Sequence, residues 1–130
     1  MQTFATFLAC IVSYDAWFYL VHRLLHVPCL YRRFHYQHHQ KRHPTWQDTM
    51  TAHAAENAVS GLGVLWPMFL TNASMHGCLA AWLFCFARGF ARHDARCAWL
   101  VGTHHLMHHT QPDANFSAIY VDWICGTVAR

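Results

Sequence analysis

The chain has 130 residues, which is enough for one domain of ordinary size and too few for two. Apolar residues make up 55% and charged residues 12%, too few charges to cover a water-soluble globule comfortably. The net charge is only +3, and Lys and Arg occur in pairs, so a nucleic-acid-binding stripe is not expected. Six cysteines form no CxxC pair, which favours reduced, buried thiols over a disulfide framework or a thiolate zinc site.

The N-terminal segment, residues 1–21, carries a single charged side chain, Asp15. It is long enough for one membrane helix, and it has neither the basic start nor the cleavage site of a signal peptide. Because proline disfavours helical geometry in the residue before it, this helix should end at Val27-Pro28. Residues 29–53 are polar and basic, and by the positive-inside rule we expect them on the cytosolic side.

A second apolar stretch runs from about 58 to 90 and is interrupted at Pro67 and at Thr71-Asn72. Each half is a little short of a membrane span, so the pattern predicts a helical hairpin that enters and leaves on one side. We assign the aromatic side chains of this stretch to membrane packing. Residues 103–110 should form a short helix, residues 111–113 a turn, and the tail NFSAIYVDWICGT should pack back over the histidines. The predicted fold class is all-α, with integral membrane helices and a histidine-rich cytosolic helical cap.

Thirteen histidines are the outlier of the composition. Residues three or four apart share one face of a helix, so each closely spaced group is predicted to aim its imidazoles at a single point. Imidazole is a ligand for zinc, copper, iron and nickel. The spaced groups are His22 and His26; His35, His38 and His39; and His105, His108 and His109.

Two isolated histidines, His53 and His93, fall on the same predicted side and are taken as further ligands. One metal takes three or four protein ligands, so this number of imidazoles suggests two metals. Asp15, costly inside an apolar helix, and Glu56, one turn after His53, are expected to orient ligand histidines from behind. His43, His76 and His104 are interpreted as bystanders, with His76 in a hairpin turn.

The position of this site at a membrane edge bears on its chemistry. An imidazole shell is neutral, which lowers the cost of lying beside lipid. Hydrolysis would suit zinc, whereas attack on an unactivated C–H bond needs a redox metal and O₂. A site fed by an apolar pocket favours iron, although the spacing alone is also compatible with zinc.

Several ordered motifs resemble the fatty acid hydroxylase/sterol desaturase superfamily of membrane non-haem di-iron enzymes, and within it the methylsterol monooxygenase branch. YDAWFYLVHRLLH resembles its HxxxH element, and LYRRFHYQHH resembles LY-x-x-x-H-x-x-HH. The HP at 43–44 with AHAAE at 52–56 resembles AHPxE, and HHLMHH resembles the last HxxHH. NFSAIYVDWICGT resembles the NxxS…DWxFGT tail.

This resemblance implies two iron ions and O₂-dependent hydroxylation or desaturation of a membrane lipid, most plausibly a sterol methyl group. It implies an external electron donor such as a cytochrome b5-like or ferredoxin-like protein, and the endoplasmic reticulum as location if the source is eukaryotic. Residues 1–130 are expected to form one such domain, and the family's upstream membrane helices to be absent. Nucleic acid is not an expected partner.

The chain departs from the family pattern around His93, where Ala91 and Cys97 occupy positions that usually hold an acidic residue and a second histidine. Cys97 is therefore a possible thiolate ligand. Three alternatives remain open: a fatty acyl hydroxylase or desaturase, a non-catalytic membrane metal-binding protein, and an inactive truncated paralogue.

Overall fold

The structure, a computed structural model, describes residues 1–66 and 72–129. Within these ranges every regular element is helical, which confirms the all-α fold class. Pro67 and Thr71, two of the predicted interruptions, lie outside the described residues. The α-helices are α1 (Gln2–Leu25), α2 (Pro28–Leu30), α3 (Ala54–Leu65), α4 (Met75–Arg92), α5 (Ala98–Val101), α6 (His104–Thr110) and α7 (Ile119–Cys125).

Helix α1 is long and apolar enough to cross a membrane, and it is the one helix in the described part of the chain that is. It ends at Leu25, and Pro28 occupies the first turn of α2, as the Val27-Pro28 pair predicts. One face of α1 remains exposed and apolar along its length. The large side chains of this face lie four or eight residues apart and are Phe4, Leu8, Val12, Leu20 and Leu24.

The other face of α1 packs against α3 and α4, which form the two arms of the predicted hairpin. The packed core between them contains Cys10 of α1, Val64 of α3, and Cys78 and Cys85 of α4. Close packing is possible because a glycine faces α1 from each arm. A Cβ atom on Gly63 would lie 2.5 Å from Trp17, and one on Gly77 would lie 2.5 Å from the carbonyl oxygen of Thr3.

The histidine-rich connection between α2 and α3 is not one regular α-helix. A π-helical turn covers Tyr31–His35, and a 3₁₀ turn covers His38–Gln40. A second 3₁₀ turn, Trp46–Asp48, begins with a reciprocal cap in which the Thr45 amide donates to the carboxylate of Asp48. This irregular path carries His35, His38 and His39.

The C-terminal tail folds back onto α1, as predicted. Phe116, Ala118 and Val121 pack with Tyr19 of α1 into a second apolar cluster. The short helix α6 spans His104–Thr110 and is followed by the predicted turn. The tail therefore lies beside the end of α1 that carries His22.

Candidate metal centre

Nine imidazoles lie in two adjoining groups. In each group, one nitrogen from every histidine lies within 4.8 Å of the corresponding nitrogens of the others. Histidines with relative exposures between 0% and 6% occur in both groups, so the centre lies inside the protein. The first histidine group contains His22, His26, His35, His39 and His108, and the second contains His38, His93, His105 and His109.

The groups do not follow the expectation that each sequence triplet converges on a single point. Pairs four residues apart stay together, as His35 does with His39 and His105 does with His109. The middle member of each triplet, His38 or His108, joins the other group. Successive residues on an α-helix point about 100° apart, so on α6 the consecutive His108 and His109 diverge to either side of His105.

The spacing between ring nitrogens matches that of metal ligands. Two nitrogens at right angles around a metal with bonds of about 2.1 Å lie about 3.0 Å from each other. The observed distances cluster at that value in both groups. The Nε2–Nε2 distances are 3.0 Å for His22–His35, 2.9 Å for His35–His39, 3.1 Å for His39–His108, 3.1 Å for His38–His93 and 3.0 Å for His93–His105.

Hydrogen bonds on the far side of the rings fix which nitrogen carries the proton. The Nδ1–H groups of His22 and His108 donate to the carbonyl oxygens of Phe116 and Ala114. A carbonyl can only accept, so in each neutral ring the lone pair is on Nε2.

The same arrangement holds for one further histidine in each group. The Nδ1–H of His35 donates to Glu56 Oε1 over 2.8 Å, and that of His93 donates to the Gly89 carbonyl oxygen over 2.9 Å. In the neutral rings, the Nε2 lone pairs of His22 and His35 therefore face each other at 3.0 Å. Such pairs repel unless a cation lies between them, so this donor set fits a metal.

Burial keeps the imidazoles in the form that binds metals. Desolvation is the main cause that lowers the pKa of His26, His108 and His109 to about 3, and neighbouring imidazoles lower it further. Burial likewise lowers the pKa values of His38 and His105 well below the ordinary value of histidine. These rings are therefore neutral at physiological pH, as metal binding requires.

Asp122 organises the tail that holds His22. Its carboxylate accepts hydrogen bonds from the backbone amides of Phe116 and Ser117, both over 2.8 Å. It also accepts one from the Thr127 hydroxyl and contacts the ring of His104. This role was not predicted from the sequence. The signal available there was the short separation between the NFS segment, residues 115–117, and Asp122 of the DW pair.

Glu56 lies behind His35, whereas Asp15 lies against Arg88 and Tyr120. Both carboxylate oxygens of Asp15 pair with Arg88, and the Tyr120 hydroxyl donates to one of them over 3.0 Å. Asp15 contacts no ligand histidine directly. Its backbone carbonyl accepts from the Ser117 hydroxyl, so it instead ties α1 to α4 and to the tail.

Three other predicted positions can be compared with the two groups. His53 is exposed, and its Nδ1 accepts the amide of Ala55 as the N-cap of α3, so the structure does not bring it into either group. Cys97 also lies outside both groups. His93, at the end of α4, belongs to the second group. Of the bystanders, His76 lies in the first turn of α4, not in a turn between helices.

A cavity of 240 Å³ opens onto both groups. Its floor includes His22 and His35 of the first group together with His38, His93 and His105 of the second. Five aromatic side chains line it, Tyr14 and Phe18 from α1 and Trp82, Phe86 and Phe90 from α4, together with the arginines Arg88 and Arg92. The assignment of these α4 aromatics to membrane packing alone was incomplete, and their four-residue spacing was the missed signal.

A family model described as "Fatty acid hydroxylase" matches residues 7–127. The chain belongs to the fatty acid hydroxylase family. This finding accounts for the order of the histidine motifs, and it agrees with a helical fold that gathers them at the end of an apolar helix.

Among curated proteins, this fatty acid hydroxylase family member is similar to methylsterol monooxygenases. Rat methylsterol monooxygenase 1 is 38% identical over 61 residues, covering 47% of this chain and 21% of the relative. Methylsterol monooxygenase 2-2 of Arabidopsis thaliana is 28% identical over 132 residues, covering 87% and 48%. The chain thus spans less than half the length of these relatives. No solved structure matches it.

Proposed function

We propose that this protein oxidises a membrane lipid with O₂ at a centre of two iron ions. The observation that carries the proposal is the pair of adjoining imidazole groups on the floor of one aromatic cavity. The similarity to methylsterol monooxygenases favours a sterol methyl group as the point of attack. In this proposal residues 1–130 act as a single domain, and further chain on either side is compatible with it.

The residues that would hold the metals are those of the two groups. Iron bound there would supply activation of O₂ for attack on a C–H bond. The neutral imidazoles keep their Nε2 lone pairs directed inward because their Nδ1–H groups are held from behind. His53 is not included among the ligands, because its ring caps α3.

The cavity walls would orient the substrate and exclude water. Trp82 and Phe86 are each about half exposed on the outer side of α4, so the cavity can receive an apolar chain from the lipid side. Asn57 and Ser60 of α3 line the same cavity, as does Thr49, and offer polar groups to a substrate hydroxyl. The reacting carbon would then lie against the histidine floor.

The arrangement in the membrane follows from α1. Its apolar exposed face and length support a membrane-spanning role, and Arg32, Arg33, Lys41 and Arg42 support a cytosolic position for the histidine centre. Electrons would then reach the centre from a cytosolic or membrane-tethered donor, of the cytochrome b5-like or ferredoxin-like class. In a eukaryote the corresponding membrane would be the endoplasmic reticulum.

A fatty acyl chain is the second candidate substrate, favoured by the family description. The two candidates differ in the shape of the group that enters the cavity and leave the metal centre the same. A metal-binding protein without catalysis and an inactive truncated paralogue are the remaining alternatives, and the first would need no cavity over the histidines.

The test is turnover by the purified protein in detergent or nanodiscs, loaded with Fe²⁺ and supplied with a reductant and electron carrier. Methylsterols and fatty acyl lipids are offered in parallel, with and without O₂. We expect oxygenated or desaturated product that requires both iron and O₂ and that incorporates label from ¹⁸O₂ when hydroxylated. Product formed equally well under argon, or only with Zn²⁺, would contradict the proposal.

A further inference from the structure

Tyr31 is the one tyrosine, among the residues that the structure describes, whose ring packs against histidines of the metal centre. Its ring centre lies 5.5 Å from that of His26, 5.9 Å from that of His35 and 5.8 Å from that of His39. All three imidazoles belong to the first histidine group. Tyr31 does not line the cavity of 240 Å³, so its contact with the centre does not depend on the lipid proposed to enter there.

The phenol of Tyr31 distinguishes it from the other aromatic rings at the centre. Phe18 and Phe116 also pack against imidazoles of the first group, but a phenyl ring is hard to oxidise. A phenol gives up one electron and its proton more readily, because the radical that remains is delocalised over the ring. A centre that breaks an aliphatic C–H bond is a strong enough oxidant for a phenol, whose O–H bond is weaker. Tyr31 is therefore the most easily oxidised ring in contact with the first group.

The π-helical turn Tyr31–His35 places a second tyrosine beside the first. In an α-helix, residues five apart point about 140° away from each other. In a π-helix the amide of residue i+5 bonds to the carbonyl of residue i, which brings these two residues one turn apart. The Tyr36 amide donates to the Tyr31 carbonyl oxygen over 2.8 Å, and the two ring centres are 6.2 Å apart. The irregular turn thus pairs two phenols that a regular helix would separate.

Tyr36 connects this pair of rings with solvent. It is 55% exposed, whereas Tyr31 is half-buried. Its neighbours Arg33 and Gln37 are exposed as well, so a small water-soluble molecule can approach the Tyr36 ring. The two tyrosines therefore link the first histidine group to the protein surface through consecutive ring contacts.

We propose that Tyr31 and Tyr36 form an oxidation relay, which removes an oxidising equivalent from the metal centre when no substrate reacts with it. The inference rests on the proposed function, because O₂ activation at the centre supplies the oxidant. Tyr31 gives one electron to the oxidised centre and its phenolic proton to water. Tyr36 then returns one electron and one proton to Tyr31 and becomes the radical itself. A soluble reductant such as ascorbate restores Tyr36 by giving up one electron and one proton, and the ligand histidines are spared from oxidation.

The radical is the direct test of the relay. The purified protein is loaded with Fe²⁺, treated with H₂O₂ in the absence of lipid, and rapidly frozen for electron paramagnetic resonance. We expect a tyrosyl radical whose hyperfine pattern changes when the protein is made with ring-deuterated tyrosine. Tyr31→Phe should lose this signal, whereas the control Tyr120→Phe, which removes another partly exposed phenol, should keep it. Absence of the radical from the wild type, or its full retention in a folded, iron-loaded Tyr31→Phe protein, would overturn the relay.

Substitutions at the surface test the second step. Tyr36→Phe keeps the ring without the oxidisable phenol, so the radical should remain on Tyr31 and ascorbate should quench it severalfold more slowly. Tyr36→Trp supplies another oxidisable ring and should restore fast quenching. Equal quenching rates in the wild type and Tyr36→Phe would show that Tyr31 is reduced directly and would overturn the role of Tyr36.

Oxidation of the ligands provides a readout that does not depend on detecting the radical. Peptide mass spectrometry after peroxide treatment measures oxidised histidine at His26, His35 and His39. Ascorbate should lower this oxidation severalfold in the wild type and have little effect in Tyr31→Phe, and equal protection of both proteins would contradict the relay. Because peroxide supplies the oxidant without lipid, these results are separate from the turnover test. Lipid product without a tyrosyl radical would overturn the relay alone, whereas a radical without lipid product would support the relay and contradict the proposed function.

Discussion

The two histidine groups differ in how firmly their rings are held. In the first, His22, His35 and His108 each donate their Nδ1–H to a carbonyl or carboxylate oxygen. In the second, His93 donates to Gly89, while His38 and His109 have buried ring nitrogens without a partner in the described structure, as His26 has in the first. The first group also has five imidazoles and the second four.

How firmly the rings are held affects how tightly each group binds a metal ion. Partners behind a ligand fix the ring orientation and the tautomer before the metal arrives, and their loss typically costs about 10–100-fold in metal affinity. Under the proposed two-metal centre, the first group is therefore the tighter site. The second group coincides with the segment around His93 where the sequence departs from the family pattern at Ala91 and Cys97.

The largest expected effect is a difference in metal content between variants of two adjacent histidines, His38 and His39. His38→Ala leaves the second group with three imidazoles, which are less firmly oriented than those of the first, so we expect the chelating resin to remove its ion and the metal content to fall from two ions per chain to one. His39→Ala leaves the first group with four, so we expect both ions to be retained. Metal analysis after passage over a chelating resin measures this, with His43→Ala and His76→Ala as controls. Loss of both ions from either variant would contradict independent sites.

Removal of metal by a chelator should proceed in two steps. We expect the second group to release its ion at a chelator concentration about 10–100-fold lower than the first, because fewer of its rings are oriented. Titration with a chromogenic chelator, combined with the His38→Ala protein to assign the steps, provides the measurement. Release of both ions in a single step would show that the groups bind as one unit.

Weakening the first group should reduce the difference between the chelator concentrations at which the two ions are released. Glu56→Ala removes the acceptor behind His35, and we expect the tighter step to weaken by about tenfold to a hundredfold. Glu56→Gln keeps a carbonyl acceptor behind His35, so its tighter release step should lie between those of Glu56→Ala and the wild type. An unchanged tighter step in Glu56→Ala would mean that His35 is oriented by other contacts.

The smallest effect is expected at His53, which neither group contains. His53→Ala should leave both metal ions in place and destabilise the protein by about 1 kcal/mol through loss of the α3 N-cap. His53→Ser, which restores a side-chain cap, should recover most of this stability. Thermal unfolding in detergent together with metal analysis distinguishes the outcomes, and loss of an ion would return His53 to the ligand set.

Much of the fold was predictable because its determinants are local. The apolar run of α1, the proline at its end and the spacing of His104–Thr110 are each visible within a few residues of sequence. The ordered motifs also identified the family. The ligand candidates followed from the same motifs, since pairs four apart do share a group.

What the sequence did not reveal depends on distant contacts. The division of His38 from His39 repeats that of His108 from His109, and it depends on where the distant members of each group lie. Asp15 was expected behind a histidine, but its partner, Arg88, lies 73 residues away. The carbonyl acceptors of Phe116 and Ala114 are backbone atoms, so residue type alone could not identify them.

The folded-back tail has a consequence for how the protein is made. Every ligand in the two groups has been synthesised once the ribosome passes His109, yet the carbonyl acceptors for His22 and His108 lie beyond that point. Asp122, which positions the Phe116 segment, comes later still. A nascent chain stopped after His109 would thus contain all the imidazoles of the two groups, but not the backbone carbonyls that orient His22 and His108. We therefore expect stable metal loading to occur only after translation has passed Asp122.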